Sequence, residues 1–392
     1  MYKYIHDSIK NNSRCVIKDL SRPQQKAISE IIRGLFTAGE PILRHLAQDS
    51  TKSAKKQAEK YSHHLGNMNI IDKIDDFALK KAQKHVRKNT VIAYDLTDIA
   101  KDAAKKIEKL SRVFDGSKRK PTNGFLLHGV GINGILTRFQ VHNGDEFTKN
   151  QVRSKIVTEI SEKLDKKGIW VFDRGNDDKQ FFKFLRQDLK VDFIVRLKAD
   201  RQVILKKTGD IIQVRNLKQG KYPVYLMDKN NNKVDLNCEY TLVISSYLED
   251  KEPIRLIHSL KYACPKNRIV TMYLERWGVE NIFKRLKDKF ELESIRVLKW
   301  QKFVNFVALI QLAVLLSTIT FLAIQQSTNA LIIGVLLYYK KFIKLKTLGF
   351  NLDSFISFMQ VSLKPLIRRH EKPPPEQLTL LSRRCLEKLG SF

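Results

Sequence analysis

Hydrophobic positions change their spacing at Thr90. Before it, apolar residues recur every three or four places, as in Ala27, Ile28, Ile31, Ile32 and Leu35, which predicts helices over residues 1–89. Ser21-Arg22-Pro23 is a helix start, with serine at the cap and proline just inside. Pro41 opens a second helix through Ile42, Leu43 and Leu46. After Thr90 come two short continuous apolar runs, Val91-Ile92-Ala93-Tyr94 and Ile169-Trp170-Val171-Phe172. Both read as buried strands, and each leads into an aspartate, Asp95 and Asp173. Between them the pattern predicts a helix carrying Lys101, Lys105, Lys106 and Lys109, then a polar turn, DGSKRKPTNG. A hairpin over Gly124–Val130 and Gly134–Val141 and a helix over 147–167 closed by Gly168 follow. A helix over Asp178–Leu189 comes next, and residues 191–262 read as short strands with polar turns such as Asn230-Asn231-Asn232. This alternation predicts an α/β core with helical regions at both ends.

Tyr273 to Lys287, YLERWGVENIFKRLK, reads as one helix. At about 100° per residue from Arg276, Lys287 falls at about 20°, Glu280 at about 40° and Tyr273 at about 60°. One narrow stripe therefore carries an aromatic, two cations and a carboxylate. Gly278 within it leaves room for another backbone, DNA among the candidates. A carboxylate ending a buried strand points out of the sheet edge where open α/β sheets keep their sites. Two of these with one helical glutamate suit two-metal phosphoryl transfer.

The spacing Tyr273-x2-Arg276-x3-Glu280-x6-Lys287 resembles the Tyr-Arg-Glu-Lys signature of DDE transposases of the insertion-sequence-four type. Asp173-Arg174-Gly175 resembles that family's second-aspartate motif, and YDLTD around Asp95 resembles its first. The resemblance spans roughly residues 20–330.

Composition narrows the partner. The 392-residue chain carries a formal charge of +31, and its pI is about 9.9. A polyanion explains such an excess, nucleic acid first and an acidic membrane surface second. The four cysteines form no C-x-x-C pair, which argues against structural zinc and a disulfide framework. His63-His64 has no acidic or cysteine partner nearby to make a metal site. MYKYIHDSIKNN has no apolar signal region, so the expected setting is cytoplasmic and nucleoid-associated. Residues 303–324 are long and apolar enough to span a bilayer, but Asn305 and Gln311 interrupt them. The reading kept is a core helix behind the sheet. GVGING lacks the G-K-[ST] of a nucleotide loop.

The resemblance implies a ribonuclease-H-like catalytic core with a β-strand insertion, in which Asp95 and Asp173 lie on neighbouring strands. The expected divisions are an N-terminal helical domain over 1–89, core over 90–190, β-rich insertion over 191–262, core again over 263–330 and a C-terminal helical region over 331–392. The N-terminal unit either contacts DNA or supports the core. The C-terminal region holds a helix over 329–345 at its start, a break at Pro373-Pro374-Pro375 and a last segment that is a candidate for dimerisation. Asp95, Asp173 and Glu280 are the implied catalytic and metal-ligating residues, with Asp95 bridging two Mg²⁺ ions and Mn²⁺ able to replace them. Asp98 is an alternative ligand. Tyr273, Arg276 and Lys287 are expected to hold DNA phosphates. Trp277 is either a platform for an unstacked base or a core residue, and Arg174 binds DNA or holds Asp173. Implied partners are duplex DNA with terminal inverted repeats, target DNA and a second copy of the chain on DNA, with no small-molecule cofactor and no membrane. The implied reaction is cut-and-paste transposition, with a hairpin intermediate on the element's end. A DNA-binding relic that has lost its chemistry and a basic membrane-associated protein are the competing readings.

Overall fold

The computed structural model describes residues 2–48, 53–116, 118–226, 236, 238–246, 252–260, 263–326 and 351–367. Five N-terminal helices lead the chain: α1 (Tyr2–Ile17), α2 (Arg22–Ala38), α3 (Leu43–Leu46), α4 (Ala54–Gly66) and α5 (Ile71–Gln83). The cap at Ser21 forms as expected: the Ser21 N–H donates to Gln24 Oε1 at 3.1 Å, and Pro23 lies in the first turn of α2. The helix closes on Gly39 at φ 79°.

Among the described residues, eleven strands build one mixed, largely antiparallel sheet. They are β1 (Val91–Ala100), β2 (Ser111–Asp115), β3 (Lys120–Ile132), β4 (Ile135–Val141), β5 (Ile169–Phe172), β6 (Asp192–Arg196), β7 (Gln202–Leu205), β8 (Ile211–Gln213), β9 (Gly220–Leu226), β10 (Tyr240–Ser245) and β11 (Ile254–His258). Their order is β2-β3-β1-β5-β6-β11-β10-β9-β7-β8, with β4 also paired to β3. Among the described residues, only β1–β5 and β5–β6 are parallel pairs. The expected hairpin is β3–β4, turned by Asn133 and Gly134, both at positive φ. Between β4 and β5 runs α6 (Lys149–Lys163), capped by Thr148, whose N–H donates to Gln151 Oε1 at 2.8 Å. After β5 come α7 (Lys179–Lys183) and a π-helical turn over Phe184–Asp188.

Two expectations about this region need correction. No helix follows Asp95: β1 runs on to Ala100, residues 101–110 are turns, and the lysines there lie in that connection. The strand persists because β3 pairs with it throughout, from Ile92↔Ile132 to Ala100↔Gly124, whereas β5 pairs with it only as far as Ala93. Asp95 therefore sits just past the end of one neighbour while still held by the other. Second, the polar turn is shorter than expected, because its first residue closes β2 and Lys120 begins β3. The strands after residue 191 continue this sheet. β6 pairs with β5, and β11 pairs with β6, so they prolong the same one.

The helix over Tyr273–Lys287 is two helices, α8 (Lys266–Leu274) and α9 (Trp277–Phe290), with Glu275 and Arg276 between. Next comes α10 (Trp300–Gln325), then α11 (Leu352–Ile367). Among the described residues, α10 alone is long and apolar enough to cross a membrane, with a mean hydropathy of 2.4. Yet 83% of that window is buried, and α1, α2, α4, α5, α9, α11 and β4 pack around it. The two polar interruptions are its anchors. Asn305 Nδ2 donates to the carbonyls of Leu65 and Met68, both at 2.8 Å, closing the α4–α5 corner. Gln311 Nε2 donates to Asp75 Oδ1 at 2.9 Å. These are interior hydrogen bonds of the kind a buried polar side chain requires. The Asn230–Asn232 turn, the 329–345 helix, the Pro373–Pro375 break and the last segment lie outside the described residues.

Candidate active site

The site begins with the glycines of GVGING. Asp95 on β1 pairs with Gly129 on β3, and Ala93 pairs with Gly131. Helix α9 lies directly on these glycines. A Cβ at Gly129 would stand 2.4 Å from the Phe283 ring, and one at Gly131 would stand 3.2 Å from Val279 Cβ. Their missing side chains let α9 settle close to the sheet and carry Glu280 to Asp95. Gly278, by contrast, faces open space, and a Cβ there would meet nothing within 4 Å.

Between the two carboxylates lies Arg276. Its Nη1 donates to Asp95 Oδ2 at 2.6 Å, and its Nη2 pairs with Glu280 Oε1 at 2.6 Å. The guanidinium is 7% exposed and the Asp95 side chain 14%, while that of Glu280 is 48% exposed. Burial pushes the Asp95 carboxyl up to about 7; Arg276 opposes the rise, and Asp173 and then Glu280 add to it. The N–H of Leu96 donates to Asp95 Oδ1 at 2.9 Å. Burial by itself would lower the Arg276 pKa, but Asp95, Tyr273 and Glu280 together carry it above its ordinary value.

Asp173 follows the last residue of β5, one strand over from β1, with Ala93 paired to Val171. The two aspartates therefore stand at equivalent positions on neighbouring parallel strands. The loop after Asp173 is tightly held. Asn176 Nδ2 donates to Asp173 Oδ1 at 2.5 Å, and Arg153 Nη1 from α6 donates to Asn176 Oδ1 at 3.0 Å. Because Arg153 can only donate, it turns the Asn176 carbonyl to itself and the amide N–H toward Asp173. Asp177 accepts from Arg201 Nε and from the Lys198 N–H, both at 2.9 Å.

The expected DNA-binding residues divide. Tyr273 belongs to α8 and is 3% exposed, with Arg276 over its ring at 5.7 Å, so almost none of it is open to a phosphate. Arg276 faces inward to the carboxylates. Lys287 Nζ stands 3.4 Å from Asp98 and 3.2 Å from Glu293. Asp98 thus faces a lysine. Trp277 is 48% exposed, which excludes it from the core. Arg174 is exposed, and Asn176 holds Asp173 instead.

Residues 87–316, well over half of the chain, match the family model described as transposase DDE domain. The chain belongs to the DDE transposases. A search of curated proteins found no match. Family membership makes DNA the substrate class of this transposase, in keeping with its +31 charge.

Whether the transposase's acids fit a divalent ion is testable on their chemistry. Asp95 and Glu280 each give one hard carboxylate oxygen to a shared cation, as Mg²⁺ would ask. Among the described residues, however, no three His, Cys, Asp or Glu side chains close around one point. The donors fit in kind, and two converge on the Arg276 guanidinium.

Asn176 and Arg153 escaped the sequence reading. A Gly-Asn after an aspartate looks like an ordinary turn, and Arg153 looks like one more surface cation of a helix. Asn176 lies three residues from Asp173, the reach of a 3₁₀ turn, and that spacing is the signal available.

Proposed function

We propose that this protein is a transposase of the Tyr-Arg-Glu-Lys type, with a ribonuclease-H-like core, that cuts DNA at the ends of its element and joins them to target DNA. The observation carrying this reading is the shared cation: Asp95 and Glu280, 185 positions apart, grip one guanidinium beside the strand that leads into Asp173. A strand order of β4-β3-β1-β5-β6, antiparallel then parallel, supports the ribonuclease-H-like assignment.

In this reading Asp95, Asp173 and Glu280 hold two Mg²⁺ ions, which Mn²⁺ replaces, and bound metal supplies activated water and neutralises the leaving oxygen. Asn176 and Arg153 fix the Asp173 carboxylate. Lys287 and Arg174 hold phosphates, and Trp277 offers a ring to an unstacked base. Tyr273 supports Arg276 from beneath. Water attacks phosphorus and the bond to the element's 3′ oxygen breaks, leaving the phosphate on the flanking DNA. The freed 3′-hydroxyl attacks the opposite strand, displacing the flank's 3′ oxygen and closing a hairpin on the element's end; a second water opens the hairpin, and the restored 3′-hydroxyl attacks a target phosphodiester and displaces the target's 3′ oxygen. Two ends cut together call for a homodimer on DNA. Residues 1–89 contact DNA near the element's end, 191–262 insert between the two core segments 90–190 and 263–330, and 331–392 serve dimerisation.

The test uses the full chain and labelled duplexes carrying the inverted repeats that bracket its reading frame. Glu280→Gln is expected to keep DNA binding and lose Mg²⁺-dependent cleavage at least a hundredfold. Wild-type cleavage by that variant would overturn the assignment. A wild-type protein that binds the ends and never cuts them would instead identify the relic.

A further inference from the structure

The lysine cluster after β1 and the DGSKRK turn were left unassigned by the site. The fold joins them into one arm. Residues 105–120 hold seven basic side chains (Lys105, Lys106, Lys109, Arg112, Lys118, Arg119 and Lys120) against two acidic ones. Part of that charge is offset, because Lys118 pairs with Asp102 at 2.5 Å and Asp115 at 3.8 Å, and Lys109 pairs with Glu146 at 2.9 Å. Glu108 is taken by Lys299 at 2.7 Å and the Trp300 N–H at 2.8 Å, and Asp115 is buried. Arg112, Arg119 and Lys120 are exposed, and no carboxylate pairs with them among the described residues.

The strand alternation sorts the hairpin's faces. Val113 and Asp115 turn inward, while Arg112 and Phe114 turn out, opposite Asn123 and Pro121 of β3. Phe114 is 62% exposed, among the most exposed large apolar side chains described. An aromatic held in water amid unpaired cations suits a surface that presents both phosphates and base edges. A membrane-binding hairpin would call for more than one apolar residue at its tip.

Strand β3 ties the arm to the chemistry. Lys120 lies nine residues before Gly129, the partner of Asp95. At about 3.3 Å per residue that is about 30 Å, or about nine base pairs of duplex lying along the strand.

We propose that the β2–β3 hairpin is a second DNA contact, gripping duplex about nine base pairs from the cut through Arg112, Arg119 and Lys120, with Phe114 wedged at a base step. This rests on the transposase reading above and adds a site to it. The wedge follows the way exposed apolar side chains kink DNA from the minor groove.

The experiment compares the full-length wild type, Phe114→Ala and the triple variant Arg112→Gln, Arg119→Gln, Lys120→Gln. Each is titrated with duplexes reaching either 6 or 16 base pairs beyond the cut on each side. Expected for the wild type is tighter binding to the long duplex. The triple variant should lose that advantage, and its log–log salt slope on the long duplex should fall by up to about 2.7, at about 0.9 per phosphate contact. A 2-aminopurine about nine pairs from the cut should brighten with wild type and stay dark with Phe114→Ala. Variants that match the wild type on both duplexes, while the wild type still binds and cuts, overturn the arm alone. A wild type that binds neither duplex overturns the arm and the transposase reading together.

Discussion

Removing Arg276 tests the site most directly. Arg276→Ala takes away a 7% exposed guanidinium that holds Asp95 and Glu280 at 2.6 Å each. Breaking a buried pair by deleting one partner costs about 3–5 kcal/mol. Two features reduce that here. Glu280 is half exposed, so water screens its share. Asp95 is already pushed up to about 7 with the arginine present, so without it the carboxyl takes a proton at neutral pH and sheds its charge. A net loss of about 2–3 kcal/mol remains, a fall in Tm of about 3 °C for a chain of this size. The decisive reading is the response to metal. On the proposed reading, a divalent ion added to the wild type would compete with the guanidinium for the same oxygens, and in Arg276→Ala it would meet a vacant pair. Differential scanning fluorimetry across a MgCl₂ or MnCl₂ series should show the larger rise in Tm for the variant. A metal at 100 times its Kd would add about 2.7 kcal/mol. The double variant Arg276→Ala, Asp95→Asn should lose most of that rise. Equal metal responses in variant and wild type, or a metal-free variant as stable as the wild type, would refute the claim that Arg276 fills a cation site.

Three further outcomes follow. The folded Asp95 binds its proton more tightly than the unfolded chain does, so its stabilising protonated form is lost as pH rises from about 4 to about 7, worth roughly 4 kcal/mol; metal-free urea titrations of Asp95→Asn against wild type should show the difference growing in the variant's favour over that window. Gly129→Ala drives a methyl into the Phe283 ring, so cleavage should fall at least tenfold while Gly278→Ala, with open space around it, keeps activity and gains up to about 1 kcal/mol of helix stability. Asn305→Leu strands the Leu65 and Met68 carbonyls in the interior and should cost about 2–4 kcal/mol by urea denaturation.

Much of this architecture is legible along the chain, and the limits have physical causes. Helix caps at Ser21 and Thr148 and the Asn133-Gly134 turn are local devices, written in adjacent residues. Apolar runs disclose β1 and β5 because strands buried on both faces leave no polar positions. The length of β1 past Asp95 is not local: Leu96 to Ala100 are half-polar and extended only because β3 runs beside them. The lysines of 101–109 have helical spacing, yet Lys101 is drawn inward to the carbonyls of Glu293 and Ile295, which pins the connection to the chain after α9. No periodicity reports a lysine that reaches across the fold. The same holds for GVGING, whose glycines make sense only once α9 is seen lying on them.

The Tyr-Arg-Glu-Lys spacing is instructive because it survives a break in the helix that suggested it. Glu275 and Arg276 lie between α8 and α9, where the Arg276 N–H shifts to the Tyr273 carbonyl three residues back at 3.1 Å, and they keep right-handed helical angles, near φ −58°, ψ −21° and φ −55°, ψ −32°. The stripe therefore carries through the break. One end is buried, with Tyr273 beneath Arg276, and the other holds the partly exposed Lys287. Arg276 joins Asp95 to Glu280, so the same four residues that read as a DNA-facing stripe form a graded path, from aromatic support through a buried cation and a half-exposed acid to a lysine at the rim. The arginine's place in that path is set by the step between α8 and α9, and its reach to Asp95 depends on the two glycines of β3 that admit α9 to the sheet.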